Sequence, residues 1–156
     1  MKKSHKIILL IVVLGIICAI SSFLIHSANS YTQVLKMNWG IELPKASANE
    51  IYAYSEPGFH GDGIRYHVID YPIENESKKR QNTALKLEEI FLQSPHPSEE
   101  QIRNVNQLLE QIDVAGDVIP EWQDCNLVYL KQEDNSELFL FYQVKTGTVY
   151  IVESFL

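Results

Sequence analysis

The sequence predicts an α+β fold: an antiparallel sheet of about five strands with helices packed on one face, placed after an N-terminal transmembrane helix. Three observations lead there. Ile7–Ile25 is a run of nineteen residues without charge or proline. Beyond it, strand-like and helix-like segments follow one another without regular alternation, which disfavours a parallel α/β sheet. The last three segments are strand-like and joined by short polar turns, so a meander is the economical topology.

The apolar run organises the chain. About 20 apolar residues cross a hydrocarbon core of about 30 Å, and only a helix satisfies its own backbone in lipid. Lys2, Lys3 and Lys6 precede the run, and the first acidic residue is Glu42. Positive charge stays on the cytoplasmic side. The expected layout is a cytoplasmic tail over 1–6, an anchor over 7–25, and a single extracytoplasmic α+β domain over 31–156. The chain would then sit in the cell membrane as a single-pass protein with its C-terminal domain outside. The alternative is secretion after cleavage near Ser30, because Ala28-Asn29-Ser30 supplies the small residues a signal peptidase requires. The length of the run favours the anchor, since a signal peptide's apolar core is about 7–15 residues. Cys18 follows Ile16 and Ile17 rather than a small residue, so it reads as filler in the apolar helix, not as a lipidation site.

Charge narrows the partners. Three of the thirteen basic residues lie before Ile7, so 31–156 carries ten basic against twenty acidic side chains, a formal charge of −10. Nucleic-acid affinity comes from neutralising phosphates, so no nucleic-acid partner is expected. Contact with an anionic membrane surface is disfavoured for the same reason. The membrane is expected to be met through 7–25 alone, and a protein partner is the remaining class. Cys125 is the one cysteine beyond the apolar run, so the domain has no internal disulfide. Flanked by Asp124, its thiolate is disfavoured, and it reads as structural.

Taken in order, Tyr31–Asn38 forms a short helix that Gly40 ends in a left-handed turn. Ile51–Ser55 and Ile64–Tyr71 are strands, rich in Ile, Val and Tyr. In the second, Ile64, Tyr66 and Val68 share one face and Arg65, His67 and Ile69 the other, as in a sheet with one buried side. Thr83–Gln93 is a helix with Ala84, Leu87, Ile90 and Phe91 on one stripe. Ser98-Glu99-Glu100-Gln101 is a capping box, followed by Ile102, Val105, Leu108, Leu109 and Ile112 at helical spacing. Asp113–Pro120 is a loop with a turn at Gly116. Asn126–Lys131, Glu137–Val144 and Thr148–Phe155 are the closing strands.

Between the first two strands runs Glu56-Pro57-Gly58-Phe59-His60-Gly61-Asp62-Gly63. Together with Gly40-Ile41-Glu42-Leu43-Pro44, the GFHGDG run resembles small exported or membrane-anchored proteins of low-GC Gram-positive bacteria that have no characterised activity. The resemblance covers roughly Trp39–Tyr71 and carries over no functional residue.

The same run is the one candidate for chemistry. Phe59, His60, Asp62 and His67 form the candidate binding set, with His67 or Glu56 approaching across the hairpin. Imidazole with carboxylate at His60 and Asp62 is a donor set for a divalent metal or for acid–base work. The plainer account is a hairpin turn whose glycines serve backbone geometry, and it explains each glycine in the run. On it no cofactor is expected. A zinc site of three histidines would need His60, His67 and His96 together. HExxH, CxxC and GxSxG patterns are absent, so no catalytic residues are assigned. Tyr52, Tyr54, Tyr66, Tyr71, Tyr129, Tyr142 and Tyr150 fall on strands, where packing is the default role. The sharper alternative makes those facing away from the helices a contact surface.

The function expected from these readings is non-catalytic. It is a membrane-anchored extracytoplasmic domain acting through protein contacts, with an immunity-like or inhibitory role as one form. The alternative is a metal-binding or metal-dependent hydrolase domain using the GFHGDG loop.

Overall fold

A computed structural model of the chain describes residues 31–45, 48–55, 62–71 and 78–156. The expected cytoplasmic tail and transmembrane helix lie outside these residues, and among the described ones no helix is long and apolar enough to cross a membrane. The chain divides into two compact units, Met1–Glu42 and Leu43–Leu156, so the expected domain 31–156 spans the division.

The described part of the first unit is helix α1, Tyr31–Trp39. Thr32, Leu35 and Trp39 are buried, spaced by three and four residues along one stripe. Gly40 ends the helix as expected. Its φ is +72°, and its N–H donates to the Lys36 carbonyl at 3.0 Å. Only glycine takes that conformation without a Cβ penalty.

The second unit is built on a five-stranded, wholly antiparallel sheet: β1 (Asn49–Ser55), β2 (Gly63–Asp70), β3 (Asn126–Lys131), β4 (Glu137–Gln143) and β5 (Thr148–Phe155). The spatial order is β1-β2-β5-β4-β3. Strands β3, β4 and β5 are the expected meander, and β5 lies centrally because β2 pairs with its other edge along eight residues. Gly147 (φ +76°) closes the β4–β5 turn, its N–H donating to the Gln143 carbonyl at 2.9 Å. A register shift between Glu50 and Tyr52 turns Ile51 outward.

Two helices flank the sheet. Helix α3 (Glu99–Gln111) starts with the expected capping box: Gln101 N–H donates to Ser98 Oγ at 3.2 Å, and Ser98 N–H to Gln101 Oε1 at 2.9 Å. Its stripe, Val105, Leu109 and the following Ile112, packs with Ile64, Tyr66, Val68, Phe139, Phe141 and Val152 in one core cluster. The left-handed residue after α3 is Asp113 (φ +53°), and the turn expected at Gly116 is a short 3₁₀ turn over Gly116–Val118.

Helix α2 (Lys78–Phe91) sits on the other face. Phe91 stacks on Tyr142, ring centroids 5.1 Å apart. Tyr142 neighbours Val149 and Ile69 across the strands, on the face opposite Phe141. That corrects the expectation of helices on one face. It also corrects the reading of Arg65, His67 and Ile69 as an open face, since His67, Ile69, Leu138, Leu140, Val149, Ile151 and Glu153 are all buried. The physical reason is visible in β4 and β5. Their apolar residues run consecutively, Leu138–Tyr142 and Val149–Val152, as strands covered on both faces do.

Candidate functional site

Phe59 and His60 lie outside the described residues. Asp62 is exposed immediately before β2. His67 sits in the middle of β2, opposite Ala53 of β1 and Ile151 of β5. Asp62 and His67 are five positions apart, roughly 16 Å of extended strand at about 3.3 Å per residue. The structure therefore does not bring His67 to the hairpin end where Asp62 lies.

His67 instead belongs to a polar cluster buried on the α2 side of the sheet. The residue is 8 % exposed, and Nδ1 lies 2.5 Å from Oε1 of Glu50. A carboxylate only accepts, so Nδ1 carries the hydrogen. Burial lowers the His67 pKa below its ordinary value, against the raising influence of Glu50 and Glu153. The fully buried Glu153 is opposite Arg65 of β2 and Leu138 of β4. Arg65 lies over the Phe155 ring, 4.5 Å from its centroid. The register shift at Glu50 makes this arrangement, because it returns the Glu50 side chain to the face that His67 occupies. A sequence reading based on strict alternation could not place it there.

A zinc site of three histidines is not assembled. His96 Nδ1 donates to the Cys125 carbonyl at 3.0 Å, just ahead of β3. From β2 to β3 there are three strand spacings, roughly 14 Å at about 4.8 Å each. Among the described residues no group of three or more His, Cys, Asp or Glu is placed to hold a metal ion. Cys125 is fully buried, and burial together with Asp124 pushes its thiol up to about 12, which fits the structural role read from the sequence.

The tyrosines are mostly packing residues. Tyr66, Tyr71 and Tyr142 are buried, and Tyr52, Tyr54 and Tyr150 are half-buried. Tyr66 Oη donates to the Val118 carbonyl at 2.6 Å. With both sheet faces covered, a tyrosine surface facing away from the helices does not form, and only Tyr129 of the edge strand β3 is exposed.

The exposed feature the sequence reading missed is on α2. Thr83, Leu87 and Phe91 are buried, whereas Leu85, Glu88, Glu89 and Leu92 are exposed. Leu85 is 61 % and Leu92 76 % exposed. Leu85 is on the helix, and Leu92 is the first residue of the turn that follows it. Glu88 and Glu89 lie on either side of Leu85 at the helical period of 3.6. The signal in the sequence was an amphipathic helix with one leucine on its polar side and another just past its end. Glu99, Arg103, Gln107 and Glu110 of α3, with Gln123 of the turn Trp122–Asp124, border an open groove of about 550 Å³, and Asn106 in it already accepts from Trp122 Nε1 at 2.8 Å.

Compared with family models, with curated proteins and with solved structures, the chain matches none.

Proposed function

We propose that this chain acts without catalysis, as an extracytoplasmic domain held at the membrane by Ile7–Ile25 and working through contact with another protein. One observation carries the reading. Leu85 on the outer side of α2 and Leu92 in the turn just after it are exposed, with Glu88 and Glu89 between them along the chain. Scattered exposed apolar residues are ordinary, but two exposed leucines at the C-terminal end of one helix, with two glutamates between them, suit a partner with an apolar patch rimmed by basic residues. The charge of −10 over 31–156 supports a basic partner and gives the association its salt dependence. An inhibitory or immunity-like contact with a secreted toxin or enzyme is one form this takes.

The test uses the full chain in membranes, with a photo-crosslinking residue at position 85 or 92. A discrete adduct that weakens at high salt and disappears in Leu85→Glu/Leu92→Glu supports the reading. Absence of an adduct at both salt concentrations removes it. Protease shaving of intact cells tests the placement, since protection of the C-terminal domain inside would overturn it. A metal-dependent role of His60 and Asp62 is separable: Zn²⁺ or Mn²⁺ would raise the melting temperature of the wild-type chain and not that of His60→Ala.

A further inference from the structure

We infer that two copies of this chain join through the outer edges of β3, pairing antiparallel about Leu130 to continue the sheet. Strand β3 is the outermost strand on its side. The direction of its backbone groups is set at both ends. Leu127 N–H donates outward, to the Pro95 carbonyl at 2.9 Å, while Gln132 N–H donates inward across the hairpin to the Ser136 carbonyl at 2.9 Å. Strand groups alternate, so the N–H and C=O of Tyr129 and Lys131 point away from β4. These are the groups to which a further strand would bind.

The two sheet edges are not equivalent. Along β1 the register shift at Glu50/Tyr52 breaks the row of groups, a common way of blunting an edge. The β3–β4 register runs without a shift from Asn126 to Lys131. Lys131, a residue type that often guards an edge, is engaged by Glu137 at 3.0 Å, and Glu137 also accepts from Tyr129 Oη at 2.7 Å.

The open part of the edge also selects the register. A two-fold centred on Tyr129 would place the partner copy's residue 131 opposite Leu127, whose N–H and flank are taken by Pro95. A two-fold centred on Lys131 would set two lysines directly opposite, which is repulsive. Centred on Leu130, Tyr129 of each copy exchanges both backbone bonds with the other copy's residue 131. The two Leu130 side chains, each 36 % exposed in one copy, then meet in a close non-hydrogen-bonded pair. Tyr129 lies beside the other copy's lysine, a favourable aromatic–cation pair. After Gln132 the second strand turns back through Asn135 (φ +68°) toward its own β4, and so leaves the edge before reaching Pro95.

The experiment uses the full chain in detergent micelles, carrying Cys18→Ala, under mild oxidation. Leu130→Cys should give about ten-fold more disulfide-linked dimer than Val144→Cys, as expected for thiols whose Cα atoms lie about 5 Å apart. Val144 is 50 % exposed but lies at the β4–β5 turn, away from β3. Mixed copies of Tyr129→Cys and Lys131→Cys should link to one another and not to themselves. Tyr129→Pro removes an outward N–H without touching the β4 ladder, so it should abolish the Leu130→Cys link; Tyr129→Phe, which keeps the N–H and the ring packed on Phe139, should retain it. Should that variant not fold, the mixed-copy experiment decides alone. Equal linking at 130 and 144, self-linking of Tyr129→Cys, or no linked dimer at all would overturn the proposal.

Discussion

His67 and Glu50 are joined on the buried side of the sheet by a hydrogen bond of 2.5 Å, from the Nδ1 of a histidine that burial keeps neutral to a carboxylate on the neighbouring strand. A neutral imidazole there donates one hydrogen to Glu50 and avoids placing a cation between Arg65 and the apolar side chains of β5. Glu50 itself is half-exposed, with a side-chain exposure of 41 %.

Acid should therefore weaken the fold through His67. Its folded pKa lies below the ordinary 6.5, so the unfolded chain binds the extra proton first. The stability it contributes is complete above about pH 6.5 and is lost as pH falls through the lowered folded value. Urea melts of the wild-type chain between pH 5 and 7 should show stability decreasing toward acid, and His67→Gln should flatten part of that slope. Glu50→Gln removes a charge that holds the pKa up, so the ring resonance should titrate lower still. An imidazole titrating above 6.5 would contradict the burial that the fold assigns to it.

The helix stripe of α3 gives the sharpest packing prediction. Val105 and Leu109 are buried to 1 % exposure or less, whereas Leu108 is only partly buried at the edge of the same cluster. Leu109→Ala removes a fully buried side chain and should cost about 2–5 kcal/mol in urea denaturation. Leu108→Ala should cost measurably less, because water can reach the space it leaves. Equal losses would mean that the helix is rotated about its axis relative to the sheet.

How much of this was legible in the sequence depends on which physical signal was local. The capping box at Ser98 and Gln101, the left-handed Gly40 and the closing strands are set by short-range backbone chemistry, and the structure has them as expected. The second covered face of the sheet was not read, although the unbroken apolar runs of β4 and β5 carry it. The polar alternation at Arg65 and His67 pointed the other way, and it was misleading because the polar groups are paired rather than solvated. Glu50 could not be assigned a face at all, since the register shift beside it is a tertiary outcome. For the candidate loop, the sequence placed Asp62 and His67 together only by proximity along the chain. An extended strand separates neighbours in sequence faster than a loop does, and His67 ends up across from Ile151 instead.

The indole of Trp122 supplies a third prediction. Trp122 packs against Phe141, ring centroids 4.3 Å apart, and its Nε1–H donates to Asn106 Oδ1 at 2.8 Å. Asn106→Ala would leave that donor buried and unpaired at 3 % exposure of the residue, costing about 1–3 kcal/mol. Asn106→Asp retains an acceptor and should recover most of the loss. Tryptophan fluorescence during unfolding reads both, and a neutral Asn106→Ala would show that water already serves the indole.

Tyr71 offers the opposite sign. Its residue is 3 % exposed, and among the described residues its hydroxyl has no hydrogen-bond partner. Burial alone raises its pKa, since no charged neighbour contributes. An unpaired buried hydroxyl costs about 1–3 kcal/mol relative to water, whereas the ring contributes its burial whether or not it carries the oxygen. Tyr71→Phe keeps the ring and removes the penalty, so it should leave stability unchanged or raise it by about 1 kcal/mol. The backbone is unaffected, because Tyr71 N–H donates to the Gly147 carbonyl at 3.1 Å and anchors the end of β2 to the β4–β5 turn in either case. Tyr66→Phe is the control: it deletes a hydroxyl that does donate, to Val118, and should lose about 1 kcal/mol. In thermal melts side by side, Tyr66→Phe should therefore melt earlier than the wild-type chain and Tyr71→Phe should not. A Tyr71→Phe chain that melts as early as Tyr66→Phe would mean that the Tyr71 hydroxyl has a partner of its own.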